Sequence, residues 1–144
     1  MRLQHCGLVV ADLDRSRRFY DQALGLEEVP RPPSFTFAGA WFRFGEDEIH
    51  LLAEADTTGR AGAPDPGPSA AFGLSSHLAF EVDDLDSGCA RLEANGVALI
   101  GGPMPRGDGV VQVFFRDPDG YVLELFQWTN EDQSGAPERA PVRE

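Results

Sequence analysis

The chain is poor in several residue types, and each scarcity narrows what it can be. Two cysteines in 144 residues, Cys6 and Cys89, lie far apart in unlike contexts. They suggest neither a disulfide framework nor a thiolate metal cluster, and read as buried apolar thiols in a reducing cytoplasm. Basic side chains are few, 12 against 24 acidic ones, for a formal net charge of −12. Such a surface repels a phosphate backbone, so nucleic acid is not an expected partner. No apolar run approaches the roughly 20 residues that span a bilayer, and no basic stretch leads into an apolar one at the start. A soluble, cytoplasmic protein with no membrane partner is expected. Histidine is also scarce, with three, and those three carry most of the information.

His5, His50 and His77 fall with Glu124 at matching places in an internal repeat. The first half opens at His5 and runs through Val9-Val10-Ala11-Asp12-Leu13-Asp14; the second opens at His77 and runs through Glu81-Val82-Asp83-Asp84-Leu85-Asp86. The halves also close alike, with Glu48-Ile49-His50-Leu51-Leu52 answered by Val122-Leu123-Glu124-Leu125-Phe126. Each closing segment sets one ligand-type residue among apolar neighbours.

The grammar between those landmarks is βαβββ in both halves. A strand over about Leu3 to Val10 is followed by Asp12 as a helix N-cap. Leu13, Ser16, Phe19, Tyr20, Ala23 and Leu24 then recur at helical spacing before Gly25. Short β-prone pieces follow at about Phe35 to Phe37, Trp41 to Phe44 and Glu48 to Leu52. The second half has a strand through Leu78, Phe80 and Val82, and an Asp84 cap. A helix face follows at Leu85, Cys89 and Leu92, with a stop at Asn95-Gly96. Its later strands fall at about Ala98 to Ile100, Val110 to Arg116 and Tyr121 to Gln127, the last two joined by Asp117-Pro118-Asp119-Gly120. The expected organisation is one α+β domain over 1–128, with module one at 1–52, a Gly-, Ala- and Pro-rich linker at 53–75 and module two at 76–128. A flexible tail is expected over 129–144.

Strand alternation turns this repeat into a site. If Ile49, Leu51, Leu78, Leu123, Leu125, Cys6 and Leu8 pack under the helices, then His5, His50, His77 and Glu124 point to the opposite face. Two modules related by a pseudo-twofold would bring all four to one point. A single His in a strand is more often hydrogen-bonded or solvated than a ligand, and a single Glu among apolar residues is more often paired with Arg. Coincidence outweighs that here, because no histidine is left over. A divalent cation would also compensate a buried Glu124. Three imidazoles and a carboxylate suit one divalent ion, Zn, Ni, Fe, Co or Mn, better than Ca.

These residues resemble the vicinal oxygen chelate superfamily, which includes glyoxalase I, methylmalonyl-CoA epimerase, extradiol dioxygenases, fosfomycin-resistance enzymes and bleomycin-binding proteins. The marks are His5 followed by Val10 to Ser16, Phe19-Tyr20, Leu24-Gly25-Leu26, and the run from Phe115-Arg116-Asp117-Pro118-Asp119-Gly120 to Leu125. The resemblance implies two tandem βαβββ modules in a curved mixed sheet, a half-barrel with helices on its convex face. It puts His5, His50, His77 and Glu124 at the four metal positions. Family substrates chelate the ion through adjacent oxygens, and family members of this size are frequently homodimers. Glyoxalase I-like members usually carry Glu where this chain has His50, and tend to have Arg and Asn, which hold glutathione carboxylates, where it has Val9 and Glu54. Glu54 would repel an acidic thiol peptide.

The leading expectation is a metal-dependent lyase or isomerase for a small carbonyl or hydroxy-carbonyl substrate, with Glu124 both ligand and proton acceptor. The second is an Fe(II) extradiol-type dioxygenase, in which His5, His77 and Glu124 form the ligand triad and His50 serves as acid/base. The third is a non-catalytic small-molecule-binding protein. For the substrate pocket the alternation offers Gln112 and Phe114 beside Glu124. In the first module it offers either Trp41 with Arg43 or Phe42 with Phe44, and Phe35 and Phe37 could form a lip. Asp12 and Asp84 read as caps, and Asp117 to Gly120 as a turn that aims the last strand.

Overall fold

A computed structural model describes residues 1–62 and 75–129. Most of the expected linker and all but Thr129 of the expected tail lie outside the described residues. The chain divides into two units, Met1–Pro64 with Asp117–Gly120, and Asp65–Arg116 with Tyr121–Glu144.

In the first unit, β1 (His5–Val10) leads to α1 (Leu13–Arg18), which continues as a π-helical turn over Phe19–Ala23. The Asp12 carboxylate caps α1 by accepting from Arg15 N at 2.9 Å, and Gly25, at φ 70°, follows the helix end in the left-handed region that favours glycine. Then come β2 (Glu27–Val29), β3 (Gly39–Phe44) and β4 (Asp47–Ala53), and a 3₁₀ turn at Glu54–Asp56 opens the region expected to be linker. The sheet order is β1-β4-β3-β2, with β1 parallel to β4 and the other pairs antiparallel. The strand expected at Phe35 to Phe37 does not form. Pro30, Pro32 and Pro33 remove ladder donors just ahead of it, and the edge position goes to Glu27–Val29, paired with Arg43 to Trp41. Glu28 is further held by an ion pair to Arg17 of α1.

The second unit repeats this connectivity with β5 (Leu78–Glu81), α2 (Leu85–Ala94), β6 (Leu99–Pro105), β7 (Val110–Arg116) and β8 (Val122–Trp128), in the order β5-β8-β7-β6. Asp84 caps α2 by accepting from Ser87 N at 3.1 Å. The fold class is therefore α+β, two βαβββ modules each with an open four-stranded mixed sheet.

Each sheet has one face under its helix. Leu8, Val10, Ala40, Phe42, Ile49 and Leu51 are buried with Phe19, Tyr20 and Ala23 of the first helix; Phe80, Val113, Phe115, Leu123 and Leu125 are buried with Leu85 and Leu92 of α2. Full burial of side chains such as Leu51 or Phe115 contributes about 1.5–3 kcal/mol each before entropy is counted. This burial fixes register, since a one-residue slip would turn every one of these residues to the wrong face. It thereby also fixes which residues occupy the opposite face.

The turn Asp117–Gly120 belongs to the first unit although it joins two strands of the second sheet. Asp119 accepts from Ala11 N at 3.0 Å and from Ser16 Oγ at 3.2 Å, and pairs with Arg15 at 3.2 Å. Asp117 accepts from the buried Tyr20 hydroxyl at 2.9 Å and from Asp119 N at 2.9 Å. The two aspartates are structural anchors, as their turn-forming sequence suggests.

Candidate functional site

On the face of the first sheet away from the helix lie His5, Glu48, His50, Trp41 and Arg43. Register makes this necessary: in β1 and β4 His5 pairs with Glu48 and Gly7 with His50, while Trp41 and Arg43 of β3 lie opposite His50 and Glu48. Of the two options for β3, Trp41 and Arg43 share the His50 face, whereas Phe42 is fully buried on the other. The rings form a stack. His5 and His50 lie with centroids 4.3 Å apart at 13°, and Trp41 covers His50 at 3.9 Å and 2°.

Glu48 organises this face, although the sequence pattern marks it only as the start of a strand. Its Oε2 accepts from His50 Nε2 at 2.8 Å, and its Oε1 accepts from Arg43 Nε at 3.0 Å and Nη2 at 2.6 Å. These hydrogen bonds, first from His50, then from Arg43 and Gln4, hold its carboxyl at about 2 against the ordinary 4.5, with burial opposing. The available signal is simple: Glu48 is two residues before His50 in a strand, hence on the same face. His5 Nδ1 donates to Gln4 Oε1 at 2.7 Å. Arg43 is thus engaged with a carboxylate, and Glu48 meets His50 as carboxylates meet ligand histidines in metal centres, fixing ring orientation and leaving the other nitrogen as the lone-pair atom.

In the second unit Ala79 pairs with Glu124 across β5 and β8, and His77, just before β5, stands on the same face. His77 Nε2 lies 3.1 Å from Glu124 Oε2. Its Nδ1 donates to the Ser75 carbonyl at 2.7 Å, so in the neutral ring Nε2 carries the lone pair. Glu124 is only 3% exposed, and its Oε1 accepts no hydrogen bond among the described residues. The nearest described cation is Arg106, whose Nη1 stands 3.8 Å from that oxygen while its Nη2 pairs with Asp108 at 2.7 Å. Phe114 faces Glu124 across the ladder and meets the His77 ring edge-on at 5.6 Å. Gln112, also buried, shares that face.

The pair at His77 and Glu124 fits a divalent ion. A lone-pair nitrogen and a carboxylate oxygen facing each other need a proton or a cation between them. Two donors each about 2.1 Å from one ion, at tetrahedral to octahedral angles, would lie about 3.0–3.4 Å apart. The observed 3.1 Å matches. A buried carboxylate oxygen without a hydrogen bond is a second sign of a missing positive partner. Among the described residues no group of three or more His, Cys, Asp or Glu side chains is placed to hold one ion, and the four expected donors stand as two pairs, His5 with His50 and His77 with Glu124.

Duplicated βαβββ modules, each presenting ligand-type side chains on its open sheet face, define a class of small α+β proteins. Comparison with known proteins specifies it. Residues 2–125 match the model of the Glyoxalase/Bleomycin resistance protein/Dioxygenase superfamily. A lactoylglutathione lyase of Neisseria meningitidis is 34% identical over 140 residues, covering 94% of this chain and 97% of the relative. Among solved structures, a glyoxalase/dioxygenase from Nostoc punctiforme superposes with a TM-score of 0.72 at 29% identity, over 90% of this chain and 92% of that one. A lactoylglutathione lyase from Agrobacterium tumefaciens superposes with a TM-score of 0.62 at 27% identity, over 88% and 92%. The chain belongs to the Glyoxalase/Bleomycin resistance protein/Dioxygenase superfamily.

Proposed function

We propose that the chain is a metal-dependent, glyoxalase-like lyase acting on a small substrate with adjacent carbonyl or hydroxyl oxygens, with the pairs His5–His50 and His77–Glu124 as the two halves of its donor set. One observation carries the reading: the His77 lone pair and the buried Glu124 carboxylate face each other at 3.1 Å, with the remaining Glu124 oxygen lacking a hydrogen bond among the described residues. Relatives named lactoylglutathione lyase support the reaction class.

A divalent ion held there would supply Lewis acidity to a bound substrate. The chain's residues do the rest. The Ser75 carbonyl fixes the His77 tautomer, and Phe114 braces its ring. Glu124 Oε1 is the atom that takes a proton from the substrate carbon, since Oε2 faces His77. Gln112, on the same face, offers an amide to a substrate oxygen. Val9 and Glu54 stand where glyoxalase I-like members tend to hold glutathione carboxylates, so this reading takes a substrate without that peptide. It also describes a cytoplasmic homodimer, which cell fractionation and sedimentation test.

Elemental analysis of the purified protein, joined to assays of lactoylglutathione and of smaller hydroxy-carbonyl compounds, is the test. Bound Zn, Ni or Co with oxygen-independent turnover is expected, and His77→Ala and Glu124→Ala should each abolish metal retention. Full metal content in both variants would refute the donor set. A second reading, an Fe(II) dioxygenase, takes the same Glu48–His50 contact at 2.8 Å as orienting His50 to act as acid/base outside the ligand triad. Iron-dependent oxygen consumption would decide for it.

A further inference from the structure

Arg31 has no place in that chemistry, and its surroundings are unusual. The segment Pro30-Arg31-Pro32-Pro33 crosses from β2 to β3 and closes a turn in which Phe35 N donates to the Pro32 carbonyl at 3.0 Å. The Arg31 guanidinium lies over the Phe37 ring, 5.3 Å from its centroid. Its Nη1 is buried with no hydrogen-bond partner among the described residues. Arg2, Arg15, Arg17, Arg43 and Arg106 each meet a carboxylate. Arg31 meets none among the described residues, in a chain with twice as many acidic as basic side chains. A buried guanidinium donor left unpaired is costly, and such a group calls for an explanation, an ordered water, an ion or a ligand among them.

The position is as informative as the missing partner. A Cβ on Gly39 would lie 2.9 Å from Arg31 Nη1, so the absent side chain lets the guanidinium sit against the backbone of β3. Two residues on and on the same face is Trp41, stacked on His50. Phe35 stands edge-on to Trp41 at 5.3 Å and to Phe37 at 5.4 Å. A ladder of rings, Phe37, Phe35, Trp41 and His50, therefore runs from the unpaired cation to a candidate donor. Phe35 keeps 39% of its surface exposed, an apolar ring open to a ligand. Arg43, the other cation of this face, is neutralised by Glu48.

We infer that Arg31 and this ladder form a subsite for the carboxylate and flat ring of an aromatic acid. The inference rests on the proposed lyase reading and names its substrate class. The guanidinium fork matches a planar carboxylate, and the rings select a π-bodied molecule. The apolar ladder sets aromatic acids apart from saturated ones.

The test is isothermal titration calorimetry of the full chain in excess EDTA, so that no metal contributes to carboxylate affinity. The probes are benzoylformate and its methyl ester. The acid is expected to bind more tightly than the ester. Arg31→Gln should weaken the acid about ten- to hundred-fold, the range for a hydrogen bond to a charged group, and leave the ester unchanged. Arg31→Lys should recover part of the loss, and Phe35→Ala should weaken both probes. Equal binding of acid and ester to the parent, or undiminished acid binding by Arg31→Gln, overturns the inference. Should Arg31→Gln fail to fold, the acid-to-ester ratio in the parent and in Arg31→Lys decides. Acid-selective binding by a chain that retains no metal in elemental analysis would support the subsite while refuting the lyase reading.

Discussion

Replacing Tyr20 with Phe removes one oxygen from the interior of the first unit. The ring contacts to Phe19 and Phe42, at 5.2 and 5.9 Å, are kept, so the change isolates the hydroxyl. That hydroxyl donates to Asp117 Oδ2 at 2.9 Å between groups that are 0% and 5% exposed. A buried hydrogen bond to a charged group is worth about 1.5–3 kcal/mol. Asp117 Oδ1 keeps its bond from Asp119 N, which places the loss near the middle of that range, at about 2 kcal/mol. For a chain of this size the melting temperature should fall by about 6 °C. Burial, and then Asp117, push the phenol well above its ordinary range, so the hydroxyl stays protonated and its contribution is present throughout neutral pH, being lost only in strong alkali. Urea denaturation at neutral pH measures the effect, and a double-mutant cycle with Asp117→Asn isolates the pair. A Tyr20→Phe variant within about 0.5 kcal/mol of the parent would refute the anchoring of the Asp117–Gly120 turn through this bond.

Glu48→Gln should alter the acid limb of stability. The Glu48 carboxyl is held at about 2 against 4.5, so its contribution is complete above 4.5 and disappears as pH falls towards 2. The parent's advantage over the variant should shrink across that window in urea titrations, and a constant difference would count against the network. Gly120→Ala should destabilise by about 1–2 kcal/mol through backbone strain, because Gly120 sits at φ 88° with no atom of the described residues within 4 Å of an added Cβ. Thermal melts check this, and an unchanged melting temperature would remove the argument.

The repeat is legible in the sequence because its signals are local. Asp12 and Asp84 announce caps, Asp117 to Gly120 announce a turn, and the spacing of Ser16, Phe19, Tyr20 and Ala23 announces a buried stripe. Alternation alone also assigns His5, His50 and Glu124 to faces, and strand pairing then sets His50 under Trp41. What alternation cannot supply is partnership. Glu48 and Arg43 are opposite each other across β3 and β4, a fact of register, and no periodicity reports register. The edge strand at Glu27–Val29 escapes the sequence pattern for a related reason. Two glutamates and a valine look like loop, and become a strand only because Arg43 to Trp41 present an unpaired edge. Arg31 is silent in the sequence because its interest lies in the carboxylate it does not meet among the described residues.

Each candidate donor pair joins the beginning of a module to its end. The parallel pairing of β1 with β4 and of β5 with β8 brings together residues separated by 45 positions in one case and 47 in the other. Such a topology cannot close early, since a parallel strand needs a long crossover before it finds its neighbour. A nascent chain emerging from the ribosome would therefore expose His77 long before Glu124 exists to face it. The pair is completed by the last strand of its module, so the facing of His77 and Glu124 is a property of the finished module and not of an intermediate.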